Sequence, residues 1–207
     1  MVNCLSHKLN SQQMQQQIKA VAFDLDGTLV DSALDFTAIC QEIGWPVGTH
    51  LLERLAQTTD PKAYQRVLDI IFRHEMAGAS LAIWMPGAED CLQALISADI
   101  PLALLTRNMR QATKLTMQRL AIPIELVVTR DDFAAKPDPA GLLHIAQQLQ
   151  LAPENILYVG DYIYDLQAAN NAGMPSCLYL NATNPHFSSE ATWTIRHFNQ
   201  LSAALIG

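Results

Sequence analysis

Apolar positions along this chain follow two alternating patterns. Short unbroken apolar runs at 21–23, 101–105, 126–129, 156–159 and 176–179, with a weaker one at 192–195, have the length of strands buried on both faces. Between them, apolar residues recur at helical spacing over 88–98, 109–120, 139–149 and 165–172, and 198–206 reads as a closing helix. Strand-helix alternation of this kind builds a parallel sheet with helices on both faces, because a parallel crossover needs a helix to return the chain. The fold class expected is α/β, a Rossmann-like parallel sheet core.

One region departs from the alternation. From Asp31 to about residue 84 no run reads as a strand, and apolar residues keep helical spacing: Leu34, Ile39, Ile43, then Leu51, Leu52, Leu55, then Val67, Leu68, Ile71 and Phe72. Residues 44–48 and 58–61 break these helices, and Pro61 falls at a helix's first turn. Met85, Pro86 and Gly87 return the chain to the sheet. The pattern predicts a small α-helical cap domain over 31–84, inserted into a core made of 19–30 and 85–207, with both ends of the insert where a lid would hinge. Helices lying on the flank of the sheet are the alternative. Residues 1–18, rich in glutamine, are expected to form a flexible arm or short helix with too little apolar surface to pack.

Composition narrows the class. Over 207 residues, 50% hydrophobic and 16% charged is a globular balance. A net charge of −7 with only 13 Lys and Arg argues against a nucleic-acid surface, which needs clustered cations. Cys4, Cys40, Cys91 and Cys177 lie far apart and form no paired metal motif, so they read as reduced thiols. No stretch nears the roughly twenty apolar residues of a membrane span, and the start lacks a charged-then-apolar signal pattern. A cytoplasmic location, with no membrane partner, is the expectation.

The candidate chemistry lies at the strand ends. The first strand empties into Asp24 and Asp26, two carboxylates two residues apart, with Gly27 allowing a sharp turn. Charges this close repel unless a cation lies between them, and a carboxylate beside a metal is a competent nucleophile toward phosphorus. A plain capped strand end is the bland reading; a calcium loop fits badly, because Leu29 and Val30 are apolar. The second strand ends at Thr106, Arg107 and Asn108, a hydroxyl with backbone N–H groups near a helix start, which suits an anion or a helix cap. Lys136 stands in a loop ahead of Pro137 and Pro139, which stiffen the backbone that presents it. The fourth strand ends at Gly160 and Asp161, with Asp165 one helical turn on; each acid alone could be a cap.

With these residues the chain resembles the haloacid dehalogenase-like superfamily, within its phosphoglycolate phosphatase and β-phosphoglucomutase-like branch. The resemblance spans about residues 19–207 and rests on four motifs in order: the run from Asp24 to Ser32, close to D-x-D-G-T-L-x-D-S; Thr106; Lys136 with Pro137; and Gly160-Asp161 with Asp165. It implies that Asp24 is the nucleophile and that Asp26 protonates the leaving oxygen and then activates water. It implies that Thr106 and Lys136 hold phosphoryl oxygens, with Arg107 beside them either joining through its backbone or turning its side chain to the leaving group. Mg²⁺ would be held by Asp24, Asp161 and the backbone carbonyl of Asp26, with Asp165 orienting Lys136 or water. Dehalogenases of the superfamily lack the second aspartate, so Asp26 favours phosphate chemistry. Arg54, Lys62, Arg66, Arg73 and His74 are the cap's charged candidates for the cleft, with His74 reading as a helix-surface residue because the carboxylate pair already covers proton transfer. A short cap favours hydrolysis of a small phosphorylated metabolite over a phosphosugar mutase that must rotate a bisphosphate. A phosphometabolite-binding protein without turnover is a third reading, disfavoured because Asp24, Asp26, Lys136 and Asp161 are all kept. Monomer and homodimer both stay open.

Overall fold

The computed structural model describes residues 11–207. In chain order, helix α1 (Ser11–Gln17) leads into strand β1 (Ala20–Phe23) and a two-residue strand β2 (Val30–Asp31). Helices α2 (Phe36–Ile43), α3 (Leu51–Ala56) and α4 (Pro61–Leu81) follow, and β3 (Ile83–Trp84) pairs antiparallel with β2 where the chain returns. The remainder alternates: α5 (Ala88–Ser97), β4 (Leu102–Leu105), α6 (Arg110–Leu120), β5 (Leu126–Val128), α7 (Ala140–Leu149), β6 (Ile156–Gly160), α8 (Ile163–Ala172), β7 (Ser176–Tyr179), β8 (Trp193–Ile195) and α9 (Phe198–Ile206). Every run expected to be a strand of the sheet is one, with ends differing by a residue or two.

Six strands form one parallel sheet in the order β5-β4-β1-β6-β7-β8. Numbered along the chain among these six, the order is 3-2-1-4-5-6, the doubly wound arrangement in which the chain builds outward one way and then crosses back. The crossing point falls between β1 and β6, and a crevice opens there beyond the carboxyl ends of the strands.

The unbroken apolar strands split by parity between the two faces. Val21, Phe23, Leu157 and Val159 join the core under α5 and α9, whereas Ala20, Ala22, Ile156 and Tyr158 face α7 and α8. Small alanines on the second face let Leu142 and Ile145 of α7 pack close to the strands.

The helices between β2 and β3 carry an apolar cluster of their own, with Ile39, Cys40, Leu51, Leu55, Val67 and Ile71 buried in it. Asp60 caps α4 through the N–H of Lys62, with Pro61 in the first turn, where its missing N–H costs nothing. Further along, Ala79 of α4 packs on Met109 and Ala112 at the start of α6, so α4 spans from the helical insert to the flank of the sheet.

Two expectations need correction. The segment before β1 does pack: Met14, 1% exposed, and Ile18 enter the main core, and Gln15 donates to the Ile206 carbonyl of α9 at 3.1 Å. Their spacing of four puts two apolar side chains on one helical face, which suffices in a polar segment. Residues 1–10 of the expected arm, Cys4 included, lie outside the described residues. The pairing of β2 with β3 was also missed, because two-residue strands leave no periodicity to read. Cys40, Cys91 and Cys177 are free and buried. Among the described residues no helix is long and apolar enough to cross a membrane.

Candidate active site

Strand register brings the site together. Phe23 pairs with Leu104 on one side and Val159 on the other, so Asp24, Thr106 and Asp161 emerge at neighbouring carboxyl ends around the crevice. Gly27 turns the chain at φ +79°, and a Cβ there would come within 2.6 Å of an Asp161 carboxylate oxygen; only glycine lets the turn pass so close. Asp165 faces the same point from the first turn of α8, where its Oδ2 accepts from the Tyr162 N–H at 2.9 Å and caps the helix. Carboxylate oxygens of Asp24, Asp161 and Asp165 all lie within 4.8 Å of one another.

Lys136 reaches into this group from the loop between β5 and α7. Its side chain is 2% exposed, and Nζ donates to the Asp24 carboxylate and, at 2.6 Å, to Asp165, with the Tyr158 hydroxyl 2.8 Å away. A buried ammonium is tolerable only with such partners. Burial alone would lower its pKa; Asp165 and Asp24 outweigh that and hold it above the usual lysine value. Tyr158 also donates to the Leu105 carbonyl at 3.1 Å, tying the ammonium's surroundings to β4.

The carboxylates are out of balance with that single cation. Burial pushes Asp24 up to about 7, with Lys136 pulling it back and Asp165 adding to the rise. Burial likewise pushes Asp161 up to about 8, helped by the charges of Asp165 and Asp24. The donors gathered here are hard oxygens, the set a cation such as Mg²⁺ or Ca²⁺ accepts, and a doubly charged ion among them would offset the repulsion. The residues therefore fit a divalent metal.

Asp26 is placed differently. Its carboxylate accepts from Ser32 Oγ and from Asn108 Nδ2 at 2.5 Å, apart from the three clustered acids, and burial raises its pKa against the pull of those two hydrogen bonds. Thr106 lines the same cavity, its hydroxyl accepting the Asn108 N–H at 3.1 Å.

The Arg107 side chain is committed elsewhere than to the carboxylate cluster. It pairs with Glu53 of α3 at 2.8 Å, donates to the Lys136 carbonyl, and lies over the Tyr164 ring at 4.4 Å. Arg130 holds the Arg107 carbonyl at 2.8 Å and forms a buried pair with Glu75 of α4, whose other oxygen accepts the Met109 N–H at 3.1 Å. These contacts fix the turn 106–109 from two helices of the insert.

Between insert and sheet lies a cavity of about 570 Å³. Asp24, Asp26, Thr106, Lys136 and Asp161 line one end, and Leu34, Ile39, Leu52 and Ile71 line the other. None of the expected cap cations faces it. Arg73 and His74 instead pair with Glu42, and Arg54 lies over Trp45. The residues that sequence reasoning missed are Tyr158, Glu53, Glu75 and His50, and it named Asn108 without its bond to Asp26. For two of them a signal existed: Glu75 continues the Val67 and Ile71 series at a spacing of four, and a tyrosine inside a wholly buried strand requires a partner for its hydroxyl.

Known proteins match this chain over most of its length. The model of the haloacid dehalogenase-like hydrolase family matches residues 18–173. A phosphoglycolate phosphatase of Vibrio vulnificus is 32% identical over 191 residues, covering 78% of this chain and 83% of its own. An N-acetylmuramic acid 6-phosphate phosphatase of Pseudomonas putida is 28% identical over 179 residues, covering 76% and 80%. Among solved structures, a hydrolase from Pseudomonas syringae superposes with a TM-score of 0.75 at 22% identity, over 91% of this chain and 97% of its own.

Proposed function

This chain belongs to the haloacid dehalogenase-like hydrolase superfamily, and on that footing we propose that it is a Mg²⁺-dependent phosphatase that hydrolyses small phosphomonoesters through an aspartyl-phosphate on Asp24. The observation that carries the reading is the convergence on Asp24: Lys136 bonded to its carboxylate, and Asp161 and Asp165 within 4.8 Å of it.

Asp24, Asp161 and the Asp26 backbone carbonyl would hold the ion, and when bound it supplies the positive charge that offsets repulsion between an anionic nucleophile and a phosphate dianion. Lys136 and the hydroxyl of Thr106 hold phosphoryl oxygens. Phosphoryl transfer asks chiefly for such positioning and charge neutralisation. An Asp24 oxygen forms the bond to phosphorus as the ester P–O bond breaks, and the departing oxygen takes its proton from Asp26. Burial keeps Asp26 ready to carry that proton, and Ser32 and Asn108 fix its orientation. Asp26, now ionised, takes a proton from water; the water oxygen attacks phosphorus and frees Asp24 and inorganic phosphate. Asp165 positions Lys136 and stays out of the proton traffic.

We read α2, α3 and α4 as the cap that closes this cavity and keeps bulk water and large polymers away. Relatives named for phosphoglycolate and for N-acetylmuramic acid 6-phosphate support a small phosphorylated metabolite as the substrate. The test is phosphate release from a panel of small phosphomonoesters. Release should require Mg²⁺ and vanish in Asp24→Asn with the fold intact; release that survives in Asp24→Asn, or ignores a chelator, would end the proposal.

A further inference from the structure

The Glu53–Arg107 pair bears on which phosphomonoesters the cavity accepts, an inference that rests on the phosphatase reading above. Among the described residues, the cationic side chains that can line the cavity are Lys136, Arg107 and His50. Lys136 is paired with Asp24 and Asp165 and, on the phosphatase reading, serves the transferred phosphoryl group, which leaves it unavailable to a second anion. Arg107 is neutralised by Glu53, and its remaining contacts are the Lys136 carbonyl and the face of Tyr164. The His50 ring lies against the same tyrosine, 5.5 Å between centroids. Against these, Asp24, Asp26, Asp31, Asp161 and Asp165 place five carboxyl groups along the same cavity, with Glu75, paired to Arg130, as a sixth. A second anion on the substrate, beyond the phosphate, would enter a partly desolvated, acid-rich, apolar-walled space without a free counter-charge, which is strongly unfavourable.

We propose that Glu53 is the residue that sets this selectivity: by taking up the charge of Arg107 it confines the enzyme to phosphomonoesters whose leaving group is uncharged, against those carrying a carboxylate or a second phosphate. Glu53 acts through Arg107. It does not itself line the cavity, whereas the guanidinium it holds does. An uncharged leaving group with a hydroxylated or ring face suits the apolar wall of α2, α3 and α4, with His50 and Tyr164 as flat surfaces to rest on. The same lack of a free cation leaves no second station for a bisphosphate, which sets hydrolysis apart from mutase chemistry.

The test compares two esters that share a phosphate and a chain length and differ in one group, phosphoglycolate and 2-hydroxyethyl phosphate, at pH 8 with Mg²⁺ and with p-nitrophenyl phosphate as a control. In the native protein kcat/KM for 2-hydroxyethyl phosphate should exceed that for phosphoglycolate by at least about tenfold. Glu53→Gln, which keeps shape and removes charge, should shift the ratio at least about tenfold toward phosphoglycolate, because Arg107 is then free to pair with the carboxylate. Adding Arg107→Gln should cancel that shift. A merely structural defect would depress both esters together, and comparing ratios between variants removes their intrinsic reactivities. A native preference for phosphoglycolate, or a ratio that Glu53→Gln does not move, overturns the inference and leaves the phosphatase reading standing. If neither these three compounds nor any member of the phosphomonoester panel is hydrolysed with Mg²⁺, the phosphatase reading falls and this inference with it.

Discussion

Removing metal and raising pH should destabilise this protein, and the structure sets the size of the loss. Asp24 is raised from 3.8 to about 7 and Asp161 from 3.8 to about 8, in both cases first by burial. Burial also raises Asp26 and Glu75. Between pH 4 and 8 the folded chain therefore keeps protons that the unfolded chain has released. Stability falls with rising pH wherever that holds, beginning above the unfolded value and ending above the folded one. From pH 5 to pH 8, Asp161 alone accounts for about 4 kcal/mol at about 1.4 kcal/mol per pH unit. The Asp24 share is not added, since the charge of Asp24 is itself one of the causes that raise Asp161. For a chain of this length about 4 kcal/mol corresponds to a fall in Tm of roughly 8–16 °C. The assay is thermal unfolding in EDTA at pH 5 and pH 8, repeated with millimolar Mg²⁺. The ion should restore most of the loss at pH 8 and little at pH 5, where protons compete for the same oxygens. Asp161→Asn should be more stable than the native protein at pH 8 in EDTA, keep only the shallower pH slope that Asp24, Asp26 and Glu75 carry, and fail to respond to Mg²⁺. A native Tm that is flat or rising from pH 5 to 8 in EDTA, or equal stabilisation by Mg²⁺ at both pH values, would refute the reasoning.

Two further outcomes follow from the same geometry. Lys136→Met removes the one ammonium bonded to Asp24 and Asp165, so Asp24 should hold its proton more tightly; kcat should drop by about 10²–10³ at pH 7, and Lys136→Arg should fail to restore it, because a guanidinium cannot replace a compact ammonium. Glu75→Ala leaves Arg130 and the Met109 N–H buried without their partner, which should cost about 3–5 kcal/mol in urea unfolding, while Glu75→Gln, keeping hydrogen-bonding oxygen, should cost measurably less.

The sheet was legible because its strands are buried on both faces and so read as unbroken apolar runs, with Ile156–Gly160 buried along its whole length. Asp24, Thr106 and Asp161 stand out because they end such runs, though each alone fits a cap; their roles, and that of Lys136 in its loop, are read from the resemblance carried by four motifs in order. What the sequence hid were the partners that those residues meet across the chain. Asn108 reaches Asp26 from 82 positions away, and Glu53 reaches Arg107 from 54; no local pattern encodes either meeting. The orientation of the insert was hidden too. Arg73 is a candidate for the cleft by sequence, yet Glu42 of α2 draws it, together with His74, to the outer surface, and the acidic and basic side chains of the insert that line the cavity are Asp31, His50 and Glu75. Pairwise packing of α2 on α4 decides this, and helical periodicity gives only the apolar stripe. Met14 and Ile18 show the opposite limit, two buried side chains fastening a segment whose composition is otherwise that of an arm.

The central claim is that acids from separate segments gather around one divalent ion with Asp24 free to take a phosphoryl group. Its most direct test is ¹⁹F NMR of the protein with beryllium fluoride, a mimic of the aspartyl-phosphate. Bound resonances should appear only when Mg²⁺ is present and should be lost in Asp24→Asn and in Asp161→Asn. Resonances that persist in Asp24→Asn, or none at all in the native protein with Mg²⁺, would contradict the account.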